Sequence, residues 1–244
     1  MRMPAQSPAG GWTCPRCEDA GFVLDDNDEA VPCTCHGTRV QRARSQGVSS
    51  VIPRRYRGVS FERNPVPALE QVNPVVVREV RRYVHDVDRR LAAGKGLWLT
   101  GDVGTGKTTL AMLISKAAID SGHSVAIYSV PHLLAEIRDT YSAEGREDSY
   151  MDFFRRLSRV ELLHLEDLGA EKQTDWVLEQ LYSLINQRYE DERAIVATTN
   201  LDYGQLEQQI GARTASRLAE ICGDLWPLFG PDQRLEMENK PSFA

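Results

Sequence analysis

Short apolar runs alternate with amphipathic stretches through most of the chain after residue 95. The runs are typical of buried strands, and the stretches are typical of helices that bury one face. Strands are predicted at 96–100, 124–130, 161–167 and 193–200, with part of 225–235 as a further strand. Helices are predicted between them, at 107–121, 131–141, 151–160, 174–192 and 211–222. This alternation predicts an α/β fold, a doubly wound parallel sheet with helices on both faces.

The helix predicted at 174–192 carries its own start signal. Thr174 is expected to be the N-cap, because its hydroxyl can accept a hydrogen bond from a free N–H of the first turn. Four apolar residues then recur on one face of the helix: Val177, Leu181, Leu184 and Ile185. That face is expected to be buried.

A glycine-rich turn joins the first predicted strand to the first predicted helix and fits the pattern G-x4-G-K-[ST]. Its residues are Gly101, Asp102, Val103, Gly104, Thr105, Gly106, Lys107 and Thr108. Glycines let backbone N–H groups curl around a phosphate, and the following helix directs its positive end at the same anion. Lys107 is expected to reach the β- and γ-phosphates, and the Thr108 hydroxyl to ligate Mg²⁺. The sequence therefore predicts a site for a nucleoside triphosphate.

Two adjacent acids, Glu166 and Asp167, end the apolar run that precedes Leu168. In P-loop enzymes an acid at the tip of a neighbouring strand holds Mg²⁺, and a second acid can polarise the attacking water. We assign the metal role to Glu166 and the base role to Asp167, although Asp is expected first in such a pair. Because Asp167 reaches less far than a glutamate, we expect binding of Mg²⁺ and ATP with slow hydrolysis. The alternative is that both acids are solvated and merely end a strand.

Two more polar residues lie near these strand ends. His164 shares a strand face with Glu166, and we predict a packed core histidine rather than a catalytic base. Asn200 ends the strand at 193–200. Its side chain either orients a water between the acid and the γ-phosphate or serves ordinary turn chemistry, and both interpretations stay open.

Four of the five cysteines lie in one short segment, as Cys14-x2-Cys17 and Cys33-x-Cys35. Clustered cysteines in a cytosolic protein indicate metal rather than disulfides, and four thiolates suit a tetrahedral, structural zinc. The second pair is one residue closer than usual, which leaves His36 as an alternative ligand to one of its cysteines. Four unrelated buried thiols are the other interpretation. Cys222, the fifth cysteine, is predicted to be a core residue.

Composition and charge restrict the location and the partners that we expect. The chain has 244 residues, 41% of them hydrophobic, with a formal net charge of −6, which argues against wholesale coating of nucleic acid. We expect a cytoplasmic protein, because no apolar run suits a membrane span or a signal peptide. Between residues 37 and 60 there is no acid but six arginines: Arg39, Arg42, Arg44, Arg54, Arg55 and Arg57. This run is either a solvated linker or a contact for phosphates or an acidic partner.

Several segments together resemble the DnaC/IstB-like family of AAA+ ATPases, especially bacterial replicative-helicase loaders. They read GDVGTGKTTLA, LEDLGAEKQTDWVLEQLYSLINQRYE, IVATTN and RTASRLAEIC. The N-terminal segment looks like the zinc-bearing N-terminal region of some loaders; it reads CPRC…CTC followed by IPRRYRGVSFE. The resemblance extends over about residues 14–236. It implies a zinc-binding region at 1–48, an arginine-rich linker and entry segment at 49–75, and an AAA+ domain with a reduced lid at 76–244.

The resemblance also implies roles for single residues. Residues 101–109, which include Thr109, match the Walker A loop, and Glu166 with Asp167 match the Walker B pair. Asn200 matches sensor 1.

Two arginines are assigned by resemblance alone. Arg217 matches the arginine finger that reaches the ATP of the next subunit, which implies a homo-oligomer in the ATP-bound state; it lies four residues after Arg213 on one helical face. Arg234 resembles the sensor 2 arginine that contacts the bound nucleotide.

The function implied is ATP-dependent placement of a replicative DNA helicase on single-stranded DNA. Candidate DNA contacts are the helix at 131–141 and the segment 153–159 with Arg155, Arg156 and Arg159, whose charged face is alternatively only solvated. Two other functions stay open: an IstB-type ATPase helper of a transposase, and an ATP-gated adaptor with little hydrolysis.

Overall fold

The computed structural model describes residues 16–17, 22–24, 30–33, 52–142 and 147–232, and the chain forms two compact units, Met1–Ala43 and Arg44–Ala244. In the first unit, strand β1 (Phe22–Leu24) pairs antiparallel with β2 (Ala30–Pro32). Cys17 and Cys33 are both buried there, and Val23 packs against them. Cys14, Cys35 and His36 lie outside the described residues.

The second unit is built on a five-stranded sheet. Its strands are β3 (Leu97–Gly101), β4 (Val125–Ser129), β5 (Leu162–Glu166), β6 (Ala194–Thr199) and β7 (Leu225–Leu228). They pair in the order β4-β5-β6-β3-β7, and every pair is parallel. Every residue of β6 is buried, as expected for the middle of a sheet that is covered on both faces. The predicted strands are confirmed.

Helices cover both faces of this sheet. In chain order they are α1 (Val66–Val72), α2 (Pro74–His85), α3 (Val87–Ala92), α4 (Lys107–Asp120), α5 (Val130–Ser142), α6 (Glu147–Arg159), α7 (Asp175–Glu190), α8 (Tyr203–Ile210) and α9 (Ala212–Cys222). The first four share one apolar cluster with the sheet, and the other five share a second cluster on the opposite face. The predicted α/β fold with helices on both faces is therefore confirmed.

The alternation of side chains along β5 decides which groups reach the site. Leu163 and Leu165 belong to the cluster under α5 to α9, and Leu162 belongs to the cluster under α4. Because successive strand residues point to opposite faces, His164 and Glu166 point to the α4 side with Leu162. This is the helix that begins at Lys107.

The sequence patterns missed some helices and found one cap. Helices α1 to α3 and α8 were not predicted. Two residues of α1, Val66 and Leu69, are buried in the cluster under α4, so the described part of the segment 49–75 packs on the core. Thr174 is confirmed as the N-cap of α7, since its side chain accepts a hydrogen bond from the Val177 N–H. None of the helices in the described part of the chain combines the length and apolar character needed to cross a bilayer.

A fully buried arginine joins the end of α6 and the segment before β5 to the start of β6. Arg188 of α7 donates hydrogen bonds to the carbonyls of Leu157 at 2.7 Å, Val160 at 3.0 Å and Ala194 at 2.7 Å, with longer bonds to Ser158 and Glu161. Burial lowers the pKa of this guanidinium to about 9, so it stays charged at neutral pH. The carbonyls at a helix end have no partner within the helix, and here one side chain serves several of them.

Replacing Arg188 with Met is predicted to destabilise the protein by on the order of 3 kcal/mol, because it leaves several buried carbonyls without donors. Urea unfolding monitored by circular dichroism measures the change. Arg89 is the matched control, since its side chain is 77% exposed and pairs with Asp86 at the surface. Arg89→Met should change stability by less than about 0.5 kcal/mol. Equal effects of the two substitutions would contradict the role assigned to Arg188.

Candidate functional site

The glycine-rich turn between β3 and α4 is closed around its own lysine. The Lys107 Nζ donates to the carbonyl oxygens of Gly101 at 2.6 Å and Asp102 at 2.7 Å, and the Thr105 hydroxyl donates to the Asp102 carbonyl at 2.8 Å. Gly106 is the residue before α4, with φ of 97° in the left-handed region that favours glycine. The backbone therefore has the tight curvature that a phosphate loop requires.

Side chains from neighbouring elements lie very close to this loop. A Cβ added at Gly106 would lie 2.4 Å from a methyl of Leu69 in α1, and one added at Gly104 would lie 1.9 Å from the Asp232 carboxylate. The two ends of the unit are tied together beside the loop, because the Asn73 side chain forms two 2.8 Å hydrogen bonds with the backbone of Phe229. Elements distant in sequence thus pack around the loop.

A cavity of about 700 Å³ opens beside the loop, a size typical of ligand pockets. Val103, Gly104 and 106–109 line one side of it, and Asp167, Ala170 and Asn200 line another. The phosphate loop, Asp167 and Asn200 therefore line one cavity, whereas Glu166 is not among its lining residues, and the roles predicted for these residues stay predictions.

A part of this cavity was missed by sequence analysis. Arg55, Tyr56 and several residues between 58 and 65 form another wall. Arg55 also lies close enough to Glu166 to lower the pKa of that carboxyl, against larger opposing effects. The acid-free arginine run was the available signal, but it gave no direction for the side chains.

Two threonines of β6 hold the turn that follows β5. The Asp167 N–H donates to the Thr198 hydroxyl at 3.1 Å, and the Thr199 hydroxyl donates to the Leu168 carbonyl at 2.7 Å. Asp167 has a φ of 55°, which is uncommon for a residue other than glycine. These bonds hold the strained turn, and Asp167 lines the cavity from it.

Thr199 and Thr100 of β3 hold the backbone next to Asn200. The Leu201 N–H donates to the Thr199 hydroxyl at 3.1 Å, and the Leu201 carbonyl accepts from the Thr100 hydroxyl at 2.6 Å. Asn200 is therefore held at the cavity edge between two strand ends, and the residue is exposed.

Glu166 has an unsatisfied oxygen. Its Oε1 is buried and has no hydrogen-bond partner among the described residues. Burial, and then the nearby Asp167 charge, raise the pKa of Glu166 to about 7, while the Arg55 charge lowers it. Glu166 has two carboxylate oxygens at the strand end beside the phosphate loop, so it can offer one of them to Mg²⁺, which takes oxygen ligands. The donor set is therefore compatible with the metal role predicted for Glu166 and Thr108.

His164 is a core residue, as predicted. Its side chain is fully buried, and its Nδ1 lies 2.8 Å from the Ser115 hydroxyl of α4. Burial lowers the pKa of the imidazole to about 3, so the ring is neutral.

Of the two arginines assigned by resemblance, the structure describes Arg217 but not Arg234. The Arg217 guanidinium lies 4.2 Å from the centre of the Tyr189 ring and 3.3 Å from the Glu220 carboxylate, outside the cavity that contains the phosphate loop. A finger acting on a neighbouring subunit would also lie outside its own cavity, so the role of Arg217 stays a prediction. Arg234 lies outside the described residues.

Replacing Glu166 with Gln is predicted to stabilise the nucleotide-free protein by on the order of 2 kcal/mol at pH 8 and by much less at pH 5. The folded pKa of about 7 lies above the ordinary 4.5. The folded wild type therefore keeps the Glu166 proton up to a higher pH than the unfolded chain does. The stability that this difference gives to the fold is lost as pH rises from about 4.5 through 7. Glutamine has no such proton. Urea unfolding at both pH values measures the difference. The exposed Glu62 provides the control Glu62→Gln, and an equal gain at both pH values would contradict this account of Glu166.

Known proteins and a solved structure are similar to this chain over most of its length. The protein XkdC of the phage-like element PBSX from Bacillus subtilis (strain 168) is 25% identical over 234 residues, 91% of this chain and 84% of that protein. The replicative helicase loader DnaC of Escherichia coli (strain K12) is 25% identical over 177 residues, 72% of this chain and 69% of that protein. The crystal structure of the DnaC helicase loader matches with a TM-score of 0.62 at 24% identity, over 72% of this chain and 100% of that chain.

A family model gives the assignment. The model for the IstB-like ATP binding protein matches residues 91–219, which hold the phosphate loop, both acids, Asn200 and Arg217. Since this match spans more than half of the 244 residues, the chain belongs to the IstB-like ATP-binding family.

Proposed function

We propose that the protein is an ATPase that helps to place a replicative DNA helicase on single-stranded DNA. The observation that carries the proposal is the cavity shared by the phosphate loop, Asp167 and Asn200. The similarity to replicative helicase loaders over 72% of the chain supports the choice of client.

In this proposal the chain holds Mg²⁺ and ATP with residues on the carboxyl edge of the sheet. The phosphate-loop N–H groups and Lys107 bind the triphosphate, and the Thr108 hydroxyl and Glu166 carboxylate hold the metal. Bound Mg²⁺ supplies charge neutralisation to the phosphates. Asp167 polarises a water, Asn200 orients it, and the short Asp167 side chain keeps turnover slow.

Hydrolysis is proposed to need a second copy of the chain. Arg217 projects from α9 with a side chain that is 37% exposed, stacked on Tyr189. Ion pairing with Glu220 at 3.3 Å is weak at such exposure and can be exchanged for phosphate. The protein is therefore expected to assemble when it binds ATP.

Single-stranded DNA is proposed to contact the aromatic side of α5. The Tyr141 and Tyr150 rings are stacked with centres 4.7 Å apart, and Tyr141 is 54% exposed. Arg138 of α5 lies 4.9 Å from the ring centre of Trp176. The exposed Tyr141 ring suits a stacked base, and the exposed Arg138 side chain on the same helix suits a phosphate.

The arginines of α6 are weaker candidates for this contact. Arg155 pairs with Asp152 at 2.6 Å, and Arg156 lies over the Phe153 ring. These contacts fit the alternative of a solvated charged face.

The cysteine segment is proposed to bind one structural zinc. Cys17 and Cys33, one from each predicted pair, are buried together. They would be joined by Cys14 and Cys35, or by His36 in place of a cysteine of the second pair.

Two other functions are distinguished from the first by their partners. An IstB-type helper of a transposase is favoured by the family model itself. An ATP-gated adaptor that scarcely hydrolyses ATP is favoured by the Glu-Asp order and the shorter base.

The helicase proposal predicts a complex with the replicative helicase of the same organism, whose mass changes when Mg²⁺ and ATP are added. Mass photometry of the mixed proteins measures it. Lys107→Ala should lose the nucleotide-dependent change, because its amine no longer binds phosphate. Lys116→Ala is the matched control on the same helix, since Lys116 pairs with Asp120 at the surface. No complex in either condition would move the transposase helper to first place.

The zinc proposal predicts about one zinc per chain in protein purified without added metal, measured by elemental analysis. Cys17→Ser should lose the metal, and Cys222→Ala should keep it, because Cys222 packs in the other unit with its thiol on the Ile195 carbonyl. Wild-type protein that contains no zinc would refute the proposal.

A further inference from the structure

Two buried polar atoms lie close together at the end of β5, and one of them belongs to Glu166, the predicted metal ligand. The Nε2 of His164 and the Oε1 of Glu166 lie 3.8 Å apart. Neither atom has a hydrogen-bond partner among the described residues. Buried polar groups are nearly always paired, so a facing donor and acceptor just beyond bonding distance indicate a contact that forms in another state of the site.

The third member of the group is Ser115. Its hydroxyl lies 2.8 Å from the His164 Nδ1, and its side chain is fully buried. Ser115 comes seven residues, about two turns, after Thr108 in α4. Ser115 and Thr108 therefore lie on the same face of α4, which packs on the face of β5 that carries His164 and Glu166.

The hydrogen-bonding capacities of these groups select one arrangement. A neutral imidazole has one N–H and one acceptor nitrogen, whereas a serine hydroxyl can donate. If Ser115 donates to Nδ1, the ring proton is on Nε2, and it points at an oxygen that can only accept when Glu166 is ionised. When Glu166 is ionised, as binding of a metal requires, the opposite tautomer would leave Nε2 and Oε1 as two facing acceptors.

We propose that His164 is a positioning residue for Glu166: its Nε2–H closes on Oε1 when Mg²⁺ is bound and leaves the other carboxylate oxygen to the metal. This proposal rests on the proposed Mg²⁺ and ATP site. The two atoms must approach by roughly 0.6–1 Å to reach normal hydrogen-bond length. A second hydrogen-bonded shell of this kind commonly orients ligands and changes metal affinity by about 10–100-fold.

The length of the Glu166 side chain suits a hydrogen bond to His164. Replacing Glu166 with Asp would shorten the side chain by one methylene, about 1.5 Å, so its carboxylate would lie out of reach of His164. Glutamate has one more rotatable bond, which costs more entropy to fix, and an anchoring hydrogen bond offsets part of that cost. His164 therefore compensates for the glutamate that stands in place of the expected aspartate.

A set of substitutions at position 164 tests the role. The readout is the Mg²⁺ affinity of the protein bound to a non-hydrolysable ATP analogue, with affinity for the analogue in EDTA as the second readout. His164→Gln places an amide N–H close to the former Nε2 and should stay within about threefold of wild type. His164→Asn places its amide at the Nδ1 position and should lose about 10-fold in Mg²⁺ affinity. Both variants introduce a buried amide, so melting temperatures that fall by similar amounts separate positioning from general destabilisation.

A double-mutant cycle with Glu166→Asp tests the pairing. His164→Asn should weaken Mg²⁺ binding about 10-fold in the wild-type background and by less than about twofold in the Glu166→Asp background. Binding of the analogue in EDTA should stay within about twofold throughout. Equal losses in both backgrounds, equal losses for Gln and Asn, or no loss at all would overturn the proposal. Wild-type protein that binds the analogue but no Mg²⁺ would overturn it together with the metal role of Glu166, and failure to bind the analogue at all would refute the proposed function first.

Discussion

The curvature of the backbone between β3 and α4 is the constraint on which the other features of the site depend. Bringing several N–H groups to one point requires left-handed backbone at Gly104 and Gly106. The Lys107 amine occupies the turn by donating to its own loop carbonyls. A Cβ at Gly104 or Gly106 would force the Asp232 or Leu69 side chain to move, and the positive φ at both positions favours glycine as well. The loop is therefore shaped by residues from both ends of the second unit.

The parallel sheet then aligns the chemistry with this loop. In a parallel sheet the carboxyl ends of strands share one edge, and ligands bind there. The ends of β3, β5 and β6 place the loop, the two acids and Asn200 at that edge. Hydrogen bonds hold the turns that follow: the Thr100 and Thr199 hydroxyls donate to backbone carbonyls, and the Thr198 hydroxyl accepts from the Asp167 N–H. Strand order gives the approximate meeting point, and these hydroxyls give the orientation.

The sequence predicted what depends on local patterns. The strands, the phosphate loop and the Thr174 cap are all encoded in contiguous residues, and all are present. Helices α1 to α3 were not predicted, although Pro67 and Pro74 lie in the first turns of α1 and α2, where proline is a start signal. Arg188 and the cavity wall near Arg55 were missed because their partners lie far away in sequence. The link between His164 and Glu166 was half visible: alternation put both on one face, but only the structure brings Ser115 of α4 to the imidazole.

We propose that this edge of the sheet binds Mg²⁺ and ATP and cleaves the nucleotide slowly. Steady-state ATP hydrolysis, measured in saturating Mg²⁺ for wild type and Asp167→Asn with and without single-stranded DNA, tests it most directly. Wild-type protein is expected to show slow turnover that DNA stimulates, and Asp167→Asn is expected to lose this turnover while it still binds ATP. Two proteins that bind ATP and are equally inactive, or turnover that ignores both DNA and the substitution, would contradict it.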